Sequence, residues 1–413
     1  MPDGTSFHRF AGDPLRVLLL LPSLHGGGAE RVAVHLANRI DRSRFDLRIG
    51  LLRRAGPYLG DVDPSLVITP AGSDWLHDEG ANADQYRVGA MAASALRGPS
   101  GVAEMVRAAR PEVVVSFLKG MSLATWVGLK RLRADERPVW IAREGNNTDA
   151  VIDDELANPL GRFAMKRLIR ACYRDADCFL ANSNDMAAAL TPRLGLDPAK
   201  VRAINNPVDV ASVAARSVEP LPGGPVRPFV VTVGRLEHQK GQDLLLRAFA
   251  ASPACRDLDL VILGRGSLEA KLKALARSLG IADRLRFEGF VANPWAWIAK
   301  ARLFVLPSRW EGCSSAVGEA LACGAPALVT DCEFGPRELV EHGTSGWVVR
   351  RGDAHALAVG LETLLGDELL AARLGRAARP RALQFNVDQM VGGYSRLFLD
   401  QAGREPALAV AAE

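Results

Sequence analysis

Residues Pro307–Gly324 read PSRWEGCSSAVGEALACG, and they follow the apolar run Leu303–Leu306 directly. The reading is a strand that ends in a loop and passes into a short helix. Gly312 and the pair Ser314–Ser315 stand where the helix should begin, since serine is a favoured N-cap and glycine permits an awkward entry. Glu311 then lies in the loop and Glu319 about one turn into the helix. A helix N-terminus offers unpaired N–H groups and a partial positive charge, which suits a phosphate. Carboxylates nearby can accept hydrogen bonds from sugar or ribose hydroxyls. The plain alternative is an acidic loop and a Glu that merely complements the helix dipole.

Further toward the C-terminus, Ala327–Thr330 reads as a strand. Upstream, strands are expected at Phe229–Val233, Leu258–Leu263 and Leu285–Phe287. Helices at Gln242–Ala250, Leu268–Leu279 and around Trp295–Ala301 separate them. Strands alternating with helices argue for a parallel α/β sheet covered on both faces. The first half repeats the alternation, with strands at Leu15–Leu21, Phe45–Leu52, Leu66–Thr69, Val113–Phe117, Val139–Ala142, Cys178–Ala181 and Val201–Ile204. Helices are expected at Val88–Arg110 and Gly161–Arg174. Between the halves, residues 205–228 hold five prolines and two adjacent glycines without strong periodicity, the best linker in the chain. Two such halves leave a cleft between the C-terminal ends of their strands, where ligands bind in open α/β sheets.

Composition narrows the class. With 413 residues, 48% of them hydrophobic, the chain supports roughly two to three domains at about 150 residues each. A net charge of +4 is too mild to argue for nucleic acid. Cys172, Cys178, Cys255, Cys313, Cys323 and Cys332 show no CxxC spacing and read as reduced thiols. No apolar run approaches the ~18 residues of a membrane span. Val17–Leu21 is too short for a signal-peptide core, so the expected location is the cytoplasm.

Pro22–Gly28 (PSLHGGG) links the first strand to a helix whose Val32, Ala33, Leu36, Ala37 and Ile40 share a face. This is half of a mononucleotide-binding unit without the GxGxxG fingerprint. Gly26, Gly27 and Gly28 would let a phosphate or sugar approach the backbone, or form only a tight turn. Residues 70–87, with Trp75, His77, Asp78 and Glu79, have no clear period and are expected as a loop near the cleft. Phe163–Arg174 carries Lys166, Arg167, Arg170 and Arg174 beside Phe163, Leu168 and Ile169. Such a basic amphipathic helix can lie against anionic lipid or form an ordinary solvated face.

In the second half Gly234-Arg235 follows a strand, with Lys240 shortly after. The planar fork of Arg and the point charge of Lys suit a diphosphate. Leu263-Gly264-Arg265-Gly266 repeats the logic at the next strand end, where Gly264 would let a base or ribose approach.

Taken in order, LLPSLHGGGAERVAVHLAN, INNPVD, VTVGRLEHQKG, LVILGRG, FVLPSRWEGCSSAVGEALACGAPALVTD and GPRELVEHGTSGWVV resemble the family 4 glycosyltransferases. These are retaining enzymes of the GT-B fold that use nucleotide-sugar donors, and the likeness runs from about Val17 to Arg350. The resemblance implies two Rossmann-like domains facing across a cleft: an acceptor domain over 15–208, a linker over 209–226 and a donor domain over 227–384. A C-terminal helix over 385–401, seen in Val387–Phe398, would cross back to the first domain. It also implies that Arg235 and Lys240 bind the donor diphosphate, that Glu319 holds the ribose hydroxyls and that Glu311 sits against the donor sugar. Ser315 and Ala316 would give backbone N–H groups to phosphate, and the GGG turn would close over donor and acceptor. Members often carry a His after the strand matching Val113–Phe117. Here the segment is SFLKGMS, with Lys119 nearby, and no catalytic His is assigned. REGNNT at Arg143–Thr148 and DCEFGPRELV resemble members that build surface polysaccharides, which tilts the acceptor toward lipid-linked or growing envelope glycans.

Transfer would build negative charge on a departing diphosphate, and fixed donors aimed at that charge lower the barrier most. The reading is therefore a hexose-type transfer from a nucleotide sugar, UDP-sugar by family habit with guanine next. The partners are a glycan or polyprenyl-linked acceptor and the anionic inner membrane, approached peripherally. No cofactor is expected. The DxD strings Asp61–Asp63, Asp175–Asp177 and Asp257–Asp259 do not end a strand beside a glycine-rich loop, so no metal is expected either. The rivals are a sugar-nucleotide epimerase, which would need an acid/base pair flanking the sugar, and a catalytically idle nucleotide-sugar-binding partner subunit.

Overall fold

A computed structural model describes residues 12–25, 27–70, 88–221 and 223–404, the side chains of 88–97 apart. Gly26 and the expected loop residues Trp75, His77, Asp78 and Glu79 lie outside the described residues.

Apolar runs too short for helices and bounded by turns become strands buried on both faces, as parallel sheets require. In the first half β1 (Leu15–Leu21), β2 (Phe45–Leu51), β3 (Val67–Ile68), β4 (Val113–Phe117), β5 (Val139–Glu144), β6 (Cys178–Ala181) and β7 (Val201–Ala203) form one sheet. Its order is β3-β2-β1-β4-β5-β6-β7, and every pairing is parallel. Along β1 the side chains alternate between two cores. Leu15, Val17, Leu19 and Leu21 pack with the helix Gly28–Arg39 on one face, while Leu18 and Leu20 pack with Ile169, Tyr173 and Met186 on the other. Two-residue periodicity thus lets one strand serve two layers of helices.

The second half repeats the scheme with β8 (Phe229–Val233), β9 (Asp259–Leu263), β10 (Leu285–Gly289), β11 (Leu303–Leu306), β12 (Ala327–Thr330) and β13 (Trp347–Val349). The order is β10-β9-β8-β11-β12-β13, again all parallel. The chain reverses direction of growth between β1 and β4 in one sheet and between β8 and β11 in the other. These are the topological switch points where a ligand crevice opens.

The expected strand over Leu66–Thr69 shrinks to Val67–Ile68. Asp63 accepts a hydrogen bond from the Ser65 amide, and Pro64 starts a 3-10 turn that uses up Leu66. The stretch 209–226, expected as linker, contains a helix at Val210–Ser217. Asp209 caps it, and Val213 buries among the second domain's apolar residues. The chain passes between the halves beside itself: Val208 and Asn386 form a parallel bridge, and the Val208 amide donates to the Phe385 carbonyl at 2.7 Å. After that crossing the helix Val387–Gln401 returns to the first domain, where Met390, Tyr394, Leu397 and Phe398 join the core under β1 and β2.

Candidate donor-binding cleft

The helix Ser315–Cys323 begins at Ser314, whose side chain makes no capping bond. The first amides of this helix are therefore left without a side-chain partner, the condition under which a helix N-terminus takes an anion. The loop before it presents Glu311, 4% exposed, whose Oε1 accepts from Lys240 Nζ at 2.5 Å and from Ser308 Oγ at 2.7 Å. Lys240 arrives from the end of β8 through the turn His238–Lys240, so two neighbouring strand ends of one sheet meet in one ion pair. Arg235 stands exposed beside them and donates to Gln239 Oε1 at 3.4 Å.

At the next strand end the backbones touch. Gly264 has φ +141°, and a Cβ there would lie 2.0 Å from the Gly234 carbonyl oxygen. Only glycine allows β8 and β9 to end this close together, and this exposes main chain rather than side chain to the cleft.

The first domain supplies the opposite wall. Gly28 opens its helix so close to the second domain that a Cβ would sit 2.9 Å from Ser315 Oγ, and Gly27 is the residue before it. Arg31, on the same helix, donates Nη1 to Glu319 Oε1 and grips the Tyr58 hydroxyl with Nε at 3.2 Å and Nη2 at 2.8 Å. Burial opposes the charge of Arg31, but Glu319 and Tyr58 together outweigh it and hold the guanidinium above its ordinary value. Glu30, one residue earlier, lies against the amides of its own first turn. Burial pushes its carboxyl up, partly offset by the charges of Arg143 and Arg235. Arg143, at the end of β5, is 1% exposed; it donates to Tyr394 Oη at 2.8 Å and Asn206 Oδ1 at 2.6 Å, while among the described residues Nη1 has no hydrogen-bond partner.

The structure thus brings Glu311, Lys240, Arg235, Glu319, Ser315, Ala316, Gly234, Gly264 and Gly27 to one cleft, at the switch points of both sheets. Sequence reading missed Arg31, Tyr58, Glu30 and Arg143. Lys119, noted where a His was absent, pairs with Glu155 at 2.5 Å. Carboxylates of the DxD strings hold architecture: Asp63 its turn, Asp175 the Trp126 indole at 2.6 Å, and Asp177 the Trp140 amide at 2.8 Å. Among the described residues no three His, Cys, Asp or Glu gather to hold an ion.

Two family models divide the chain between them: a glycosyl transferase 4-like domain over residues 27–207, and glycosyl transferases group 1 over residues 221–381. The chain belongs to the family 4 glycosyltransferases. This glycosyltransferase is 31% identical to a Campylobacter jejuni N-acetylgalactosamine-N,N'-diacetylbacillosaminyl-diphospho-undecaprenol 4-alpha-N-acetylgalactosaminyltransferase. That match covers 59% of this chain and 67% of the relative. It is 26% identical to the lipopolysaccharide core biosynthesis glycosyltransferase LpsE of Rhizobium meliloti, over 90% of this chain and 95% of the relative. In fold it matches HepE of Anabaena, solved with UDP-glucose, at a TM-score of 0.74 and 20% identity. That alignment covers 94% of this chain and all (100%) of that one. The expected two-domain GT-B architecture of this glycosyltransferase is thereby matched over nearly its whole length.

Proposed function

We propose that this glycosyltransferase moves a hexose-type sugar from a UDP-sugar, with retention of configuration, to a lipid-linked or growing envelope glycan. The observation that carries this reading is the meeting of the Lys240–Glu311 pair, Arg235 and the uncapped amides of Ser315 and Ala316 at one helix N-terminus. The names of the Campylobacter and Rhizobium relatives support a diphospho-polyprenol or lipopolysaccharide acceptor, and the UDP-glucose complex of HepE supports the choice of base.

In this reading residues 227–384 hold the donor and 15–208 the acceptor, with 385–401 bridging back. Arg235, Lys240 and the helix amides receive the charge that grows on the diphosphate as the anomeric C–O bond breaks. Such preorganised donors act in a site that water has left, and deleting one costs about 10²–10³ in turnover. Glu311 positions sugar hydroxyls and steadies positive charge on the ring, and Glu319 takes the ribose hydroxyls. The acceptor hydroxyl attacks from the leaving-group side and passes its proton to the departing phosphate oxygen. No separate enzymatic base and no metal enter the scheme. The protein works at the cytoplasmic membrane face, peripherally docked through the helix Pro159–Asp175.

The test is calorimetric titration of the full chain with UDP, GDP and ADP in the presence of EDTA. Binding of UDP alone, unchanged by chelator, is expected. Binding that needs manganese would overturn the metal-free scheme, and binding of GDP in place of UDP would overturn the base.

A further inference from the structure

Arg31 belongs to the first domain, yet its guanidinium meets a carboxylate assigned above to the donor nucleoside in the second. Three of its N–H groups are committed, two to the Tyr58 hydroxyl and one to Glu319 Oε1. Tyr58 is itself fixed. Its amide donates to the Leu24 carbonyl at 3.3 Å, Leu24 donates to Ala55 at 2.9 Å, and a Cβ at Gly56 (φ +120°) would fall 2.1 Å from Leu24 O. The Tyr58 turn is therefore locked against the loop that carries the glycine turn, and Arg31 is held between two fixed points. On the other side Glu319 gives only Oε1 to Arg31. Among the described residues Oε2 has no hydrogen-bond partner, and it is not one of their polar atoms sealed from solvent. A carboxylate with one oxygen clamped and the other open is oriented to receive a hydroxyl.

We propose that Arg31 is the positioning residue for Glu319, so that ribose recognition is completed only when the first domain closes onto the donor domain. The proposal rests on the reading of Glu319 as the ribose carboxylate. Closure then adds affinity for the nucleoside end of the donor rather than for its phosphates, which Lys240, Arg235 and the helix amides hold from the second domain alone. Lysine at position 31 has no planar fork, so it cannot grip Tyr58 and Glu319 together.

The experiment measures affinities of UDP, GDP and ADP beside their 2′,3′-dideoxy counterparts, with pyrophosphate as a phosphate-only probe. Wild type, R31M, R31K, Y58F and E319Q are compared. Hydrogen bonds to a charged group imply that wild type favours the ribose form by roughly 10- to 100-fold. In E319Q, R31M and R31K that preference is expected to fall to about threefold or less, while pyrophosphate affinity stays within about twofold. Y58F, which keeps every charge, should lose part of the preference and serves if Arg31 variants fail to fold. A purely structural role for Arg31 would weaken all probes alike and would overturn the proposal. So would a wild-type preference retained in both R31M and Y58F. A wild type that does not distinguish ribose from dideoxyribose, or binds none of the nucleotides, would instead overturn the reading of Glu319 beneath it.

Discussion

Glu30 sits on the first turn of the helix Gly28–Arg39, with its Oε2 2.4 Å from where a Cβ on Gly27 would be. Burial pushes its carboxyl up from the ordinary value, and the backbone amides of Glu30 and Gly27 and the charges of Arg143 and Arg235 only partly oppose this. A carboxyl raised in the folded state holds its proton more tightly there than in the unfolded chain. Its contribution to stability is full below the unfolded pKa and is lost as pH rises through the folded one. At neutral pH the ionised Glu30 is thus a destabilising charge. Glu30→Gln, which keeps an acceptor for the amides, should raise the melting temperature at pH 7. The gap should close as pH falls below about 4, near the unperturbed carboxylate value. Equal melting curves at pH 7 would contradict this. An acid in a first helical turn is visible in sequence; its burial is not, because the groups around it, Arg143 and Arg235 among them, stand far away along the chain. The same limit hid Arg31. Its helix reads correctly as apolar along Val32, Ala33, Leu36 and Ala37, but its partner Glu319 lies 288 positions away. Lys240 and Glu311 were legible because both stand at strand ends of one repeated βα pattern, where position follows from topology.

The helix Pro159–Asp175 shows what periodicity conveys and where it stops. Its amphipathic character was legible, and Ile169, Cys172 and Tyr173 are its buried face. The Tyr173 hydroxyl donates to Glu144 Oε2 at 2.5 Å, which ties this face to the end of β5. The expected face of four cations is thinner than the sequence implies. Lys166 pairs with Asp153 at 2.7 Å, and Arg174 donates to the Leu194 carbonyl at 2.8 Å. What the structure adds is an apolar tip: Leu160 is 73% exposed and Phe163 59%, with Arg167 over the Phe163 ring. Docking on anionic vesicles should therefore depend on these two side chains more than on total charge. Burying both partway gives about 3 kcal/mol, so Leu160→Ser with Phe163→Ser should lower vesicle partitioning roughly a hundredfold. Flotation with phosphatidylglycerol vesicles measures this. Retained binding would return the helix to an ordinary solvated face.

Across the whole molecule, the segment DCEFGPRELV joins the two domains, a role its sequence does not announce. Phe334, fully buried, packs into the first domain's core with Met186 and Leu190, although β12 and β13 flank it in the second. Beside it Glu333 takes Asn147 Nδ2 at 2.8 Å and pairs with Arg193, and Glu338 receives the Asn184 amide at 2.8 Å and Asn205 Nδ2 at 2.8 Å. Closure also brings Gly312 against Gly145, where a Cβ would lie 2.0 Å from the carbonyl oxygen. These contacts cross between domains that the chain links at the neighbouring crossings Val208 and Asn386, so their free energy falls on the closing equilibrium. Truncating a buried Phe to Ala costs about 3–5 kcal/mol, and moving an equilibrium from 99:1 to 1:99 takes about 5.5 kcal/mol. Phe334→Ala should therefore shift much of the ligand-free population to an open form. Small-angle scattering should show a larger radius of gyration, and KM for the donor should rise as the ribose site goes unassembled. Phe249→Ala removes a ring from the second domain's own core; it should lower the melting temperature without changing the scattering curve. If Phe334→Ala behaves like Phe249→Ala, the segment only fills space, and closure is held by the Arg31–Glu319 pair and the glycine seam instead.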